Sequence, residues 1–282
     1  MRVRKMRKIF ILFLCFDVWA QTLIIDGLGD KEVLKKISEA LKDRVFYYIK
    51  PEDTVNNIDA YNLVILLGDK ALEVYNKNKW EKPCIVGYVK KPINEIPVAG
   101  TGLRYELPPS VLFTIISTLM KWVKKVGVIL PYEYSESNFV EELKRASKNF
   151  NIELKIVFVQ GKAVKKALSQ LNDIDLFLLI PSDLTLEENS SRYFIEEFLK
   201  IKIPTFGFEK NHALMGALIS YSLEKVYLKE LIDIITLVHE GREPSTIPVR
   251  YPSTYEIFIK KKTKDFLKLS IDKATFKNIN EI

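Results

Sequence analysis

From Thr22 onward, short runs of aliphatic and β-branched residues alternate with longer stretches whose apolar positions recur at helical spacing. The runs Thr22 to Asp26, Val45 to Lys50, Leu63 to Leu67, Pro83 to Tyr88, Val126 to Leu130, Glu153 to Val159, Leu176 to Ile180 and Thr205 to Phe208 read as strands, with a last one at Tyr255 to Ile259. Most are continuously apolar. Strands buried on both faces read this way, which implies parallel sheets covered by helices on each side. Between them, Lys31 to Lys42, Ala71 to Lys77, Ser137 to Asn149, Ala163 to Gln170 and Ser191 to Ile201 carry amphipathic helical patterns. This βαβ rhythm, with its right-handed crossovers, predicts an α/β chain built from doubly wound sheets.

The strands could form one sheet or two, and the segment Pro108 to Lys124 favours two. It follows a loop at Gly100-Thr101-Gly102, opens on a Pro-Pro pair and carries Val111, Leu112, Phe113, Ile115, Ile116, Leu119 and Met120. That apolar stretch is too short to span a membrane and reads as a buried helix opening a second lobe. After Phe208 come Gly216-Ala-Leu-Ile-Ser-Tyr-Ser222, a helix to about Glu240 closed by Gly241, and a turn-rich stretch from Glu243 to Pro248. Lys260-Lys261-Lys262 reads as the solvated end of the last strand.

Residues 1–20 break this rhythm. Arg2, Arg4, Lys5, Arg7 and Lys8 precede an apolar run from Ile9 to Phe16, and Val18-Trp19-Ala20 forms a small-residue site before Gln21. The pattern is that of a secretory signal peptide cleaved after Ala20, with a periplasmic or extracytoplasmic destination. Phe13 and Leu14 ahead of Cys15 do not suit a lipidation site. The leader carries a net +4, so the mature chain would keep only +3 of the total +7. So balanced a charge argues against a nucleic-acid partner, and an export signal stands where a helix-turn-helix would be needed. Cleavage would also leave Cys84 as the single cysteine, a buried thiol with no disulfide partner, so stability must come from the core.

Six segments resemble, in order, the ABC-transporter substrate-binding family that includes tryptophan-binding lipoproteins. They are Val126-Gly-Val-Ile-Leu-Pro131, Asp175-Leu-Phe-Leu-Leu-Ile-Pro-Ser-Asp183, Ile203-Pro-Thr-Phe-Gly-Phe208, Gly216 to Ser222, Gly241 to Val249 and Tyr255-Glu-Ile-Phe-Ile259. The resemblance is clearest from about residue 98 to 260. It implies the type 1 periplasmic-binding-protein fold: two Rossmann-like lobes joined by a three-crossover hinge, residues 21–103 plus 220–249 in the first lobe and 104–219 plus 250–282 in the second. The first lobe departs from the family pattern at Gly68-Asp69-Lys70-Ala71 and at Lys91-Pro92, turns that would look onto the ligand.

In doubly wound sheets, ligands sit beyond the carboxyl ends of the strands, against helix N-termini. The residues at those ends are the candidate ligand contacts: Gly68, Asp69, Tyr88 and Thr101 on one wall, and Tyr132, Ser135, Ser137, Asp183 and Phe208 on the other. Thr101, Ser135 and Ser137 could hold a solute carboxylate, and Asp69 or Asp183 an ammonium. Tyr88, Tyr132 and Phe208 could cover an apolar body. Ser135 and Ser137 suit helix capping equally well, Phe208 suits packing, and Asp26-Gly27 suits a strand-ending turn.

Catalytic signatures are missing. The sequence holds two histidines, His212 and His239, with no His/Cys ligand spacing, no Gly-x-Ser-x-Gly and no phosphate-cradling loop; Gly27-Leu28-Gly29 lacks the third glycine of a dinucleotide turn. The expectation is a non-enzymatic, monomeric solute-binding protein without cofactor, delivering a small organic ligand to an ABC permease. A ligand-sensing module for a membrane receptor or histidine kinase is the alternative on the same fold.

Overall fold

The computed structural model describes residues 21–41, 45–55, 57–91, 96–160, 164–273, 276 and 279–282. Residues 1–20, where a leader is expected, together with Pro92 and Ala163, lie outside the described residues. The chain divides into two compact units: one runs to Val89 and adds Glu95–Arg104 and Tyr227–Arg250, and the other comprises Lys90–Asn94, Tyr105–Val226 and Tyr251–Ile282.

The first unit is built from β1 (Gln21–Asp26), α1 (Lys31–Leu41), β2 (Val45–Ile49), β3 (Leu63–Leu67), α2 (Asp69–Lys77), β4 (Cys84–Gly87) and β5 (Gly100–Gly102). Its sheet has the order β2-β1-β3-β4-β5, parallel throughout. All five residues of β3 are buried, as the unbroken Leu-Val-Ile-Leu-Leu run requires when helices cover both faces. α1 turns Val33, Ile37 and Leu41 inward at helical spacing.

β5 was expected as a loop, because Gly-Thr-Gly reads as a turn. A Cβ on Gly102 would stand 2.3 Å from the Val86 carbonyl oxygen, and one on Gly100 2.6 Å from Cys84 Sγ. The edge strand approaches β4 closely because it has no side chains at these two positions. The glycines that disguise it as a turn are what permit it to pair.

The second unit contains α3 (Pro109–Leu119), β6 (Lys125–Pro131), α4 (Asn138–Asn149), β7 (Glu153–Val159), α5 (Val164–Ser169), β8 (Leu176–Leu178), α6 (Glu188–Lys200), β9 (Thr205–Gly207), α7 (Lys210–Met215) and β10 (Ile219–Ser222). α8 (Glu224–His239) begins in this unit and continues into the first; β11 (Glu256–Ile259), α9 (Lys261–Leu267) and β12 (Ile279–Glu281) complete the second. Its sheet runs β12-β11-β10-β9-β8-β6-β7, parallel except between β10 and β11. Phe177 of β8 stacks on Phe198 of α6 with ring centroids 4.0 Å apart and meets Phe194 at 5.7 Å in a tilted arrangement, so the three rings pack the helix onto the sheet.

β10 pairs with β9 and β11, which holds residues 219–222 in the second unit's sheet, and that unit extends to Val226, whereas the family's chain path would give residues from 220 on to the first lobe. The three lysines follow β11 directly, with Lys261 and Lys262 exposed as expected, but they also open a helix. Lys260 caps α9, whose Thr263 is buried and donates to the Gly216 carbonyl at 2.9 Å. Cations are unfavourable at a helix N-terminus, so the charge pattern concealed this helix. Among the described residues no helix is long and apolar enough to cross a membrane.

Candidate functional site

In each sheet the strand order reverses direction at one place. In the first this lies between β1 and β3. In the second, strands β7-β6-β8-β9-β10 repeat the same order, with the reversal between β6 and β8. Loops leaving the carboxyl ends on either side of such a point diverge to opposite faces and leave a crevice for a ligand.

In the first unit the turn after β1 is closed on itself. The buried Asp26 carboxylate accepts from Leu28 N at 2.9 Å and Gly29 N at 3.1 Å, and from the Tyr48 hydroxyl at 3.0 Å. Asp26 is therefore satisfied by its own turn. Gly27 N donates to the Leu67 carbonyl at 2.8 Å, and a Cβ there would come within 2.9 Å of that oxygen, so the turns after β1 and β3 touch through backbone. Gly68 is the N-cap of α2 at φ 88° and provides no side-chain cap, which places Asp69 in the first helical turn, where a carboxylate favours the dipole. Gly68 N donates to the Gly87 carbonyl at 2.9 Å, bringing the Gly68-Asp69 turn beside Tyr88 at the end of β4. Tyr88 adopts the left-handed region at φ 57°, uncommon for a residue with a bulky side chain. Its amide donates to the Tyr227 hydroxyl at 2.8 Å and its ring lies 4.6 Å from the Tyr227 ring.

Thr101 differs from its expected role. It is fully buried in β5 and its hydroxyl donates to the Ile247 carbonyl at 2.9 Å, so that donor ties β5 to the turn before Arg250 and is not offered to a solute.

In the second unit, β6 ends on Pro131 and a 3-10 turn, Tyr132–Tyr134, leads to α4. Tyr132 is 61% exposed, and Ser135 closes the turn. Ser137 is the N-cap of α4: it accepts from Val140 N at 3.3 Å, donates to the Tyr134 carbonyl at 2.8 Å and is buried. Of its two readings, the capping one describes this geometry. Beyond β8, Ser182 and Thr185 are buried and joined hydroxyl to hydroxyl, and Ser191 of α6 donates to the Thr185 carbonyl. This network fixes the turn that carries Asp183.

Asp183 is half-exposed and ion-paired with Lys91 at 2.7 Å, and Glu209 after β9 is paired with Lys90 at 2.5 Å. Lys90 also lies 5.8 Å from the Tyr105 ring centroid. Two successive lysines thus neutralise the carboxylates at the ends of β8 and β9. The expectation that Asp183 awaits a ligand ammonium must reckon with a cation already beside it. Phe208 is 5% exposed and meets His212 edge to face at 4.4 Å, while its amide donates to His212 Nδ1 at 3.2 Å. Burial pushes the His212 imidazole down to about 4, with Glu209 raising it and Lys90 lowering it by smaller amounts. Tyr221, fully buried and close to the buried Glu106, has its phenol pushed well above the ordinary value, chiefly by burial.

Within each unit, then, candidate residues gather at neighbouring strand ends: Gly68, Asp69 and Tyr88 after β3 and β4, and Tyr132, Ser135, Asp183 and Phe208 after β6, β8 and β9. Glu209 stands beside Phe208 on the wall where the sequence puts it, whereas Tyr227 and Lys90 were not singled out as ligand-site residues, because each owes its place to contacts with distant segments.

Residues 100–281 match the family model of ABC transporter substrate binding proteins. The chain belongs to that family. Among solved structures, a conserved domain protein from Vibrio cholerae is 17% identical with a TM-score of 0.65, covering 93% of this chain and 99% of that one. A Streptococcus pneumonia ABC domain in complex with L-Trp is 16% identical, with a TM-score of 0.66 and the same coverages. The ligand-free, open structure of the Clostridium difficile substrate binding protein CD0873, which has adhesive properties, is 15% identical with a TM-score of 0.63, covering 93% and 97%. No curated protein matches the chain. At these identities the structures share the fold, two α/β sheets of the type 1 periplasmic-binding kind. The family is one of substrate binding and not of catalysis.

Proposed function

We propose that this chain is an exported solute receptor: the leader is removed after Ala20, the two lobes capture a small organic ligand between them, and the loaded protein delivers it to an ABC permease. The observation that carries this reading is the family match across 182 consecutive residues, 100–281. The matching strand order of the two sheets supports it, since each presents a switch point with polar and aromatic residues at the strand ends.

The proposed ligand is amino-acid-like and zwitterionic. The first turn of α2 lacks a side-chain cap, and the exposed Tyr132 ring offers an apolar cover. The pneumococcal relative holds L-Trp, but Asp69 and Lys91 put charge into turns where the family resemblance leads one to expect a hydroxyl or a single carboxylate, so tryptophan itself is not carried over.

A thermal-shift screen of the mature protein against amino acids, oligopeptides and organic anions tests the reading. A true ligand raises Tm with the logarithm of its concentration, and at about a hundredfold over Kd it stabilises the fold by about 2.7 kcal/mol. A flat response to all three classes would overturn the solute-capture reading. Export is tested separately: N-terminal sequencing of secreted protein should begin at Gln21 or within a few residues of it, and retention of Met1 would remove the proposed leader.

A further inference from the structure

β10 and β11 are antiparallel neighbours, yet no tight turn joins them: from Ser222 the chain enters α8, and it rejoins the second unit only at Tyr251 to form β11. β12 runs parallel to β11, with Ile279 opposite Ile257. The carboxyl end of β10 and the amino ends of β11 and β12 therefore stand side by side, with no hairpin to fill the space beyond them. A cavity of about 370 Å³ lies there, and every residue that lines it belongs to the second unit. Ligand pockets range over about 300–1,000 Å³, so the space suits a small metabolite. Tyr132, Ser135, Asp183 and Phe208, the strand-end candidates of this unit, do not line it.

The lining combines hydroxyls with one accessible cation. Ser222, Thr254 and Tyr255 bring three hydroxyls, Asn280 an amide, and Lys225 and Glu256 opposite charges, while Val226 and Ile279 supply an apolar side. Ser222 is buried and its hydroxyl accepts from Glu224 N at 3.3 Å, which leaves its proton to donate. Burial raises the Tyr255 phenol above its ordinary value, so it stays a neutral donor. The Lys225 ammonium reaches Glu256 at 3.3 Å, with the lysine side chain 74% exposed and the glutamate 28%. An ion pair so open to water is weak, and a solute anion can share the lysine at small cost. Lys225 and Val226 stand in the first turn of α8, whose dipole adds positive potential to the same side, while Glu224 of that turn does not line the cavity. With Glu256 offset by Lys225, the balance favours an anion.

We propose that this cavity is a second solute site, which takes a small hydroxylated carboxylate: the carboxylate sits on Lys225 at the first turn of α8, and the hydroxyls meet Ser222, Thr254 and Glu256. The site lies apart from the strand ends of the proposed function and does not depend on what they capture. A neutral polyol of the same size would find the hydroxyl partners but not the charge, so the carboxylate decides affinity.

The probe is L-threonate, a four-carbon acid with three hydroxyls, and its neutral counterpart is L-threitol. In protein labelled at the isoleucine methyls, the Ile279 signal, assigned through Ile279→Val, should shift saturably with threonate and stay in place with threitol. Lys225→Gln, at an exposed side chain, should weaken threonate binding by about tenfold or more. Glu256→Gln keeps an acceptor but frees the lysine, and should strengthen binding by about twofold to fivefold. Equal affinity of wild type and Lys225→Gln, an equal response to threitol, or an Ile279 signal that never saturates would each overturn the proposal. A threonate response confined to Ile180, beside the turn that carries Asp183, would place the acid at the strand ends; that outcome supports the proposed function and overturns this one. A thermal-shift screen that finds no other solute would count against the proposed function and leave the Ile279 result standing.

Discussion

Replacing Gly102 by alanine is expected to destabilise the protein by about 3 kcal/mol, whereas the same change at Gly29 costs about 1 kcal/mol. The two glycines fail for different reasons. At Gly29, φ is 70° and nothing lies within 4 Å of the added Cβ, so the cost is the conformational penalty alone. At Gly102 the Cβ would meet the Val86 carbonyl oxygen at 2.3 Å, about 1 Å inside contact. That oxygen belongs to β4 and accepts from Leu103 N at 3.0 Å, so it cannot retreat without opening the β4–β5 pairing. Steric cost and a weakened buried hydrogen bond therefore add. Urea denaturation of the two variants should separate them by about 2 kcal/mol, and equal costs would show that β5 is free to shift.

The contrast between β3 and β5 explains how far the fold was legible. Leu63–Leu67 announces itself through composition, because burial on both faces demands apolar residues at every position. β5 is defined by what its residues lack, and a Gly-Thr-Gly edge strand is recognisable only once β4 is beside it. α7 and β12 are short and hold little periodicity, and α9 opens on three lysines that contradict the dipole rule. Long helices such as α4 were legible down to the cap, since Ser137 satisfies the local requirement of an uncapped amide within three residues.

The candidate site was legible to the same extent. Positions at strand ends follow from the βαβ order, so Asp69, Tyr88, Asp183 and Phe208 were found where topology puts them. Their partners were not. Thr101 donates to Ile247 across 146 residues and Tyr88 to Tyr227 across 139, and no local pattern encodes such pairs. Lys91 was placed in a turn looking onto the ligand, but that Lys90 and Lys91 meet Glu209 and Asp183 shows only in the folded chain. The sequence locates the walls of a site by periodicity, while the pairing that decides which groups remain open to a solute is a long-range property.

His212 should make stability fall as pH is lowered from 6.5 to about 4. In the unfolded chain an exposed imidazole titrates near its ordinary value of 6.5, while burial holds it near 4 in the folded one. Between these values the unfolded chain binds a proton that the folded chain refuses, so acid shifts the equilibrium toward unfolding. Above pH 6.5 both states are neutral and nothing is lost; below about 4 both are charged and the loss is complete, reaching about 3 kcal/mol. Burial dominates because the two nearby charges, Glu209 and Lys90, act on the imidazole in opposite directions and are paired with each other. Protonation also removes the lone pair at Nδ1 that accepts from the Phe208 amide, so the turn after β9 loses its anchor at the same step. Carboxylates titrate over part of this range and destabilise in acid as well, which makes wild type alone a poor measure. The difference between wild type and His212→Asn isolates the histidine, since the asparagine carbonyl can accept from the Phe208 amide and does not titrate. Stability differences measured by urea denaturation at pH 7 and pH 4 should change by about 3 kcal/mol in favour of the variant at low pH. A constant difference across that range would mean that the imidazole is charged or solvated in the folded protein, and that Nδ1 does not accept the Phe208 amide.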